Sequence, residues 1–173
     1  MMTRTLLACL LIAALLPATG TAFDGNSLPA VIDQFGQPVS ISDSKPTVRV
    51  AILVSAKRLR RLRKWETALR KRFPGLDILR VADVPRDAPT RYEDVAEAFR
   101  KRLPEDVGIG IDLAGDWAGQ LEVDPSVPNI LVFTSSGDLE AVHSGMYSNA
   151  LFAQAAADID LLIKAEGRAG AGA

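Results

Sequence analysis

The sequence predicts an α/β domain whose mixed β-sheet lies between layers of helices. Apolar runs of strand length alternate with amphipathic helical patterns, which indicates parallel strands joined through helices. Two late strand patterns, separated by the turn at residues 135–138, add an antiparallel hairpin. With 173 residues, 48% of them hydrophobic, the chain fits one such domain plus short appendages.

The first 22 residues are typical of an export signal. Arg4 is followed by an apolar stretch at residues 5–16 and by small residues at 18–22, so we expect cleavage before Phe23. The apolar stretch is shorter than the roughly 20 residues that span a bilayer, so we expect no transmembrane span in the mature form. The sequence thus predicts a periplasmic or otherwise exported protein.

Cysteine content limits the chemistry open to this chain. Its single cysteine, Cys9, lies in the predicted signal, so cleavage would leave a mature protein without a thiol, a disulfide or a thiolate metal ligand. Retention as a lipoprotein through residues 6–9 is disfavoured, because the apolar stretch follows Cys9 instead of preceding it. An uncleaved membrane anchor is the other alternative.

The elements follow one another at spacings typical of a single domain. Residues 30–41 predict a β-hairpin turning at Gly36, and residues 48–55 a central strand buried on both faces. Residues 57–73 predict an amphipathic helix that Pro74 ends. The later elements are predicted at residues 76–81 (strand), 90–103 (helix), 107–111 (strand), 116–121 (short helix), 130–134 and 139–144 (strands) and 148–164 (helix). Residues 23–29 are expected to be a linker, 30–164 the domain and 165–173 a flexible tail.

Four segments together resemble a known family. They are residues 33–39 (DQFGQPV), 50–56 (VAILVSA), 126–133 (SVPNILVF) and 136–138 (SGD). In this order they make the chain similar to the thioredoxin-like superfamily, and more narrowly to its exported TlpA-like and peroxiredoxin-like redoxins. The resemblance implies a thioredoxin-like fold with an N-terminal β-hairpin. It also implies a cis Val127–Pro128 bond and a groove for extended polypeptide beside it; Trp117 either belongs to the core or lines this groove.

The departure from that family lies at its catalytic position. The family places its reactive cysteine at the start of the first long helix, where this chain has a run of cations, so we expect no catalytic residue of that class. Ser55 would need a base to act as a nucleophile, and the sole histidine, His143, is predicted on a late strand. We therefore interpret Ser55 as a strand-end residue, and the balance lies against an enzyme.

The cations at the predicted helix start are the candidate binding site. Residues 57–73 contain nine basic residues and one acidic residue. The candidate contact residues are Lys57, Arg58, Arg60 and Arg61. Cations at a helix N-terminus oppose the helix dipole, and a docked anion would relieve that cost. We expect another envelope protein or an anionic ligand as partner and, without an aromatic platform, no nucleic acid. The alternative is a solvated helix face.

No cofactor or metal is expected from the sequence. The acidic residues Asp112, Asp116, Glu122 and Asp124 follow no known ligand spacing, and His143 lacks a second ligand of its own kind. We therefore hypothesise a non-catalytic interaction module of the cell envelope. The alternative is an accessory to a thiol-redox or cofactor-assembly system that has no catalytic cysteine of its own.

Overall fold

The computed structural model describes residues 23–41, 47–86 and 90–170, and the predicted signal with Cys9 lies outside these ranges. The described residues form eight strands, four α-helices and two 3-10 helices. The strands are β1 (Phe23–Asp24), β2 (Val31–Asp33), β3 (Pro38–Val39), β4 (Arg49–Ser55), β5 (Asp77–Asp83), β6 (Gly110–Asp112), β7 (Asn129–Phe133) and β8 (Asp138–Ser144). The α-helices are α1 (Leu62–Arg72), α2 (Tyr92–Arg102), α3 (Asp116–Gln120) and α4 (Asn149–Gly170), and the 3-10 helices are Gly25–Ser27 and Ala56–Arg61.

The strands form one mixed sheet in the order β1-β8-β7-β4-β5-β6-β2-β3. Strands β4, β5 and β6 run parallel, whereas β7 pairs antiparallel with β4 and with β8. The predicted N-terminal hairpin is present as β2 and β3, and it turns at Gly36, whose φ of +81° lies in the region that favours glycine. The mixed α/β architecture is therefore the one the sequence predicted.

The core lies on both faces of β4, in which every residue is buried. On one face Val50, Ile52 and Val54 pack against α1 and α4, where Trp65 is fully buried. On the other face Ala51 and Leu53 pack in a second cluster that contains Trp117. A third cluster covers β5 and β6 with α2. An apolar strand without polar alternation is what such two-sided burial requires.

Regular secondary structure extends further at both ends of the described domain than the sequence predicted. Phe23 and Asp24, expected in a linker, pair with β8, and the Gly25 amide donates to the Gly137 carbonyl oxygen at 2.9 Å. At the other end α4 continues through Gly170, past the tail boundary after residue 164, and Glu166 accepts a hydrogen bond from the Ser135 amide at 2.7 Å. These long-range contacts explain the difference. None of the helices within the described residues is long and apolar enough to cross a membrane.

A half-buried ion network ties α1 to the sheet. Glu66 of α1 accepts hydrogen bonds from Arg80 of β5, one of them at 3.0 Å, and from Arg70 at 2.8 Å. Burial raises the pKa of Glu66, but the hydrogen bonds and charges of Arg80 and Arg70 outweigh it, so the pKa is lowered overall. The carboxylate form is thus the one that stabilises the fold.

Glu66→Gln is expected to lower the free energy of unfolding at pH 7 by about 1.5–3 kcal/mol, the range for hydrogen bonds to charged groups. Since the pKa of Glu66 is lowered on folding, its contribution is present above the pKa of the unfolded chain and is lost as pH falls through the folded-state pKa. Urea unfolding of wild type and variant from pH 7 to pH 3 should therefore show that the difference between their free energies of unfolding shrinks as the pH falls.

Glu97→Gln provides the matched control for this prediction. Glu97 pairs with Lys101 on the exposed face of α2, and both side chains are more than half exposed. Exposed pairs of this kind contribute little to stability. We expect its unfolding curves to follow wild type at every pH. If Glu66→Gln and Glu97→Gln gave the same unfolding curves, Glu66 would not stabilise the fold.

Candidate functional site

The carboxyl ends of the parallel strands β4, β5 and β6 meet at one edge of the sheet. Such edges are where open α/β sheets bind their ligands. Two segments border the end of β4: Ala56–Arg61, here named the basic segment, and residues 124–128, here named the proline loop. The Ser55 amide at the end of β4 donates to the Pro125 carbonyl oxygen at 2.7 Å and so links β4 to the proline loop.

The basic segment is a 3-10 helix, and α1 begins at Leu62 instead of Lys57. Arg58 interrupts the helical geometry with φ −124° and ψ 18°, and no side chain caps the helix at Ser55. Because the backbone of Arg58 leaves the helical region, regular α-helical geometry starts only at Leu62. The expectation that Lys57 and its neighbours stand at an α-helix N-terminus, with free N–H groups for an anion, is therefore wrong.

The side chains of the basic segment divide into two groups. Lys57, Arg58 and Arg60 are exposed, whereas Arg61 is half-buried and donates from Nη1 to the Ser126 carbonyl oxygen at 2.6 Å. The Ser126 hydroxyl and amide, and after them the charge of Arg58, hold the pKa of Asp124 below its usual value. The hydrogen bond from Arg61 to Ser126 thus joins the basic segment to the proline loop.

The proline loop is organised by a buried amide side chain. Asn129 is fully buried, and its Nδ2 donates to the carbonyl oxygens of Asp124 at 2.9 Å and Val127 at 3.0 Å. Its Oδ1 accepts from the Ser144 hydroxyl at 2.6 Å. These bonds order the loop around a trans Val127–Pro128 peptide, so the expected cis bond is wrong. Trans is the ordinary state of such bonds, and the Asn129 amide closes the turn without the rarer isomer.

The predicted groove residues do not come together. Pro128 is buried and Val127 half-buried beside the basic segment. Trp117 instead is fully buried on the face of the sheet opposite α1, where its Nε1 donates to the Pro29 carbonyl oxygen at 2.9 Å. Trp117 therefore belongs to the core, and its alternative placement in the groove is wrong. A large apolar ring that finds one polar partner inside the core is satisfied there.

Two acidic residues, whose pairing the sequence analysis did not predict, lie at the same carboxyl edge of the sheet. Asp83 ends β5 and Asp112 ends β6, and the two are partners in the parallel register. Burial and the neighbouring charge of Asp112 raise the pKa of Asp83, while Arg86 opposes that shift. Each aspartate follows a predicted strand by one or two residues, but pairing across strands is a long-range property that spacing along the chain does not reveal.

The remaining candidates stay apart from this edge. His143 lies on β8, where its Nε2 is 2.9 Å from Oδ2 of Asp158 on α4. It is therefore engaged with α4 and not placed as a base for Ser55. Among the residues that the structure describes, no group of three or more His, Cys, Asp or Glu side chains is arranged to hold a metal ion.

Comparison with known proteins identifies the fold. No protein-family model and no curated protein matches the chain. Among solved structures, the pneumococcal exposed lipoprotein thioredoxin Etrx1 from Streptococcus pneumoniae is 15% identical with a TM-score of 0.58, over 73% of this chain and 96% of that one. BsSco, a member of the Sco family of cytochrome c oxidase assembly proteins, is 10% identical with a TM-score of 0.57, over 83% and 95%. The N-terminal domain of PilB from Neisseria gonorrhoeae is 16% identical with a TM-score of 0.53, over 69% and 82%. The fold is therefore thioredoxin-like, as predicted.

Asn129→Ala is expected to lower the free energy of unfolding by about 1–3 kcal/mol, because it removes the donor to the part-buried carbonyl oxygens of Asp124 and Val127. It should also loosen the proline loop, which hydrogen exchange measured by mass spectrometry detects as faster exchange within residues 124–128. Ser144→Ala, which removes only the contact to Oδ1, should perturb both quantities less. If Asn129→Ala left the loop's exchange unchanged, Asn129 would not be what orders the loop.

Proposed function

We propose that this protein is a non-catalytic thioredoxin-like protein of the cell envelope that binds a partner through the basic segment. The proposal rests on one observation above all. At the carboxyl end of β4, where the family resemblance leads one to expect a reactive cysteine, the chain has Lys57, Arg58, Arg60 and Arg61. The described residues contain no cysteine, because the only one in the chain is Cys9.

The exposure of the cations supports a role in contact. Within the described ranges Arg58 and Arg60 are exposed and form no ion pair, whereas Arg61 is engaged with Ser126. Exposed cations that lie close together raise the association rate of an acidic partner, and added salt weakens this electrostatic attraction. The hydrogen bond of Arg61 fixes the proline loop beside them, so a partner meets both segments at once.

The chemistry of this surface favours an acidic protein as the partner. Half-buried Pro125 and Val127 border the cations and add apolar area to the charged surface. Protein interfaces combine an apolar centre with a polar rim, and complementary charge sets their specificity. A lipid headgroup or a small phosphorylated ligand would use the cations alone. Export to the cell envelope rests on the signal-like residues 1–22.

The double variant Arg58→Glu, Arg60→Glu is expected to lose its partner in living cells. Crosslinking followed by mass spectrometry would compare it with wild type and with Lys71→Glu, Arg102→Glu. Lys71 and Arg102 are exposed cations on α1 and α2, away from the proline loop, and the control makes the same change in net charge. Circular dichroism would show that both variants remain folded.

Two results are decisive for this experiment. A protein captured by wild type and by the control but not by Arg58→Glu, Arg60→Glu would support the proposal. Identical capture by all three would contradict it and leave the basic segment a solvated face. Loss of membrane co-fractionation in that variant without loss of any protein crosslink would assign the surface to lipid instead.

The second candidate function is an accessory role in a thiol-redox or cofactor-assembly system. The observation that favours it is the structural similarity to Etrx1 and to BsSco, whose family assembles cytochrome c oxidase. Under this alternative the captured partner would itself carry the reactive thiols or the cofactor. The identity of the crosslinked protein therefore distinguishes the two.

A further inference from the structure

One outer edge of the sheet is only partly covered. β1 lies at the end of the strand order, and its pairing with β8 goes no further than Phe23 opposite Leu139. The next five residues of β8, 140–144, are here named the open edge. They have no strand partner on that side among the residues that the structure describes. Alternate residues of an edge strand direct an N–H and a C=O outward, and these groups can pair with another strand.

The opposite edge of the sheet is protected in a way that the open edge is not. There β3 is only two residues long and contains Pro38, which has no amide hydrogen to donate. The open edge contains neither proline nor lysine, the residues that commonly block edge pairing. Val142 at its centre exposes 39% of its surface. Cleavage before Phe23 would leave no upstream residue to extend β1 over it.

We propose that two copies of the protein pair antiparallel through their open edges, about a two-fold axis at Val142. In this register Val142 lies opposite Val142 of the second copy, Ala141 opposite His143, and Glu140 opposite Ser144. The contact is isologous, since the same five residues serve both copies. The two sheets would join into one. This inference concerns the edge at β8 and is independent of the proposed partner surface at the basic segment.

Two features of β8 select this register. Pairing cannot extend past residue 140, because Phe23 occupies the outer side of Leu139. It cannot extend past Ser144, because the chain turns at Gly145, which has φ +148° and donates to the Pro128 carbonyl oxygen at 2.9 Å. Opposite residues in a sheet must share a face, so the register changes only in steps of two. Either such step would leave three pairs instead of five.

The charges of the open edge fit a second copy. Apart from His143, whose Nε2 lies 2.9 Å from Oδ2 of Asp158 on α4, Glu140 is its only ionisable residue. In the five-pair register Glu140 faces a serine. The two copies of Glu140 lie about 13 Å apart along the strands, beyond the Debye length of about 8 Å at physiological salt. The exposed Val142 side chains cover each other. Five pairs make a small interface, so we expect a weak dimer.

Single-cysteine variants test the pairing directly. The mature chain has no cysteine of its own, so a disulfide in such a variant must join two copies. Val142→Cys would place two Cα atoms about 4.5–5.5 Å apart across the axis, within the range that a disulfide bridges. Glu140→Cys and Ser144→Cys are the controls: both residues are exposed on the same strand, but their thiols would lie about 13 Å apart.

The protein recovered from the cell envelope would be oxidised with copper phenanthroline and analysed by non-reducing electrophoresis. We expect Val142→Cys to form the covalent dimer about tenfold faster, or more, than either control variant. Equal rates for Val142→Cys and Glu140→Cys would overturn the proposed register.

Sedimentation velocity tests the dimer without a crosslink. Wild type should sediment faster as its concentration rises, whereas Val142→Lys should remain a monomer, because lysine blocks edge pairing. Ile32→Lys is the matched control, since Ile32 is 41% exposed and lies on β2 near the other edge of the sheet. It should dimerise as wild type does. Circular dichroism would show that both variants are folded.

Two outcomes of the sedimentation experiment would overturn the proposal. One is a wild type that stays monomeric at every concentration, which would leave the open edge to a strand of another protein or to solvent. The other is a Val142→Lys variant that dimerises as strongly as wild type, which would place the contact elsewhere on the molecule.

Discussion

The burial of β4 on both faces is the constraint on which the rest of the structure depends. Because Val50, Ile52 and Val54 are covered by α1 and α4 and Leu53 by the opposite cluster, β4 has one possible register between β5 and β7. That register fixes where β4 ends. The basic segment, the proline loop and the paired residues Asp83 and Asp112 are all placed by it, although they are far apart in the chain.

The edge of the sheet at the carboxyl end of β4 carries positive charges on one side and acidic side chains on the other. Toward the proline loop it presents exposed cations, with Arg61 joined to Ser126. On the α3 side it holds two buried carboxylates. Exposed Arg58 and Arg60 and buried Asp83 and Asp112 thus lie at the same edge of the sheet.

Local patterns in the sequence predicted most of the fold, and long-range contacts explain what they missed. The buried strand at β4 and the hairpin at Gly36 are local properties of composition and turn chemistry. The strand at Phe23 and the last turns of α4 depend on partners more than 100 and 30 residues away, at Gly137 and Ser135. No sequence pattern near residue 23 or residue 166 indicates these partners.

The candidate site was predicted in composition but not in geometry. The sequence alone reveals the run of cations, but not the non-helical backbone at Arg58 that separates them from α1. The bond before Pro128 is trans, the ordinary state, and the hydrogen bonds of Asn129 that order the loop around it appear only when the loop is folded. The pairing of Asp83 with Asp112 follows from strand register, a long-range property that no local pattern in the sequence reveals.

The proposed partner-binding role requires that this edge of the sheet performs no thiol-disulfide chemistry of its own. The most direct measurement is dithiothreitol-coupled insulin reduction by the protein recovered from the cell envelope, with thioredoxin as the positive control. We expect insulin to precipitate no faster with dithiothreitol and the protein than with dithiothreitol alone. A rate that rises in proportion to the concentration of the protein would contradict the account and would show that a reactive thiol is present.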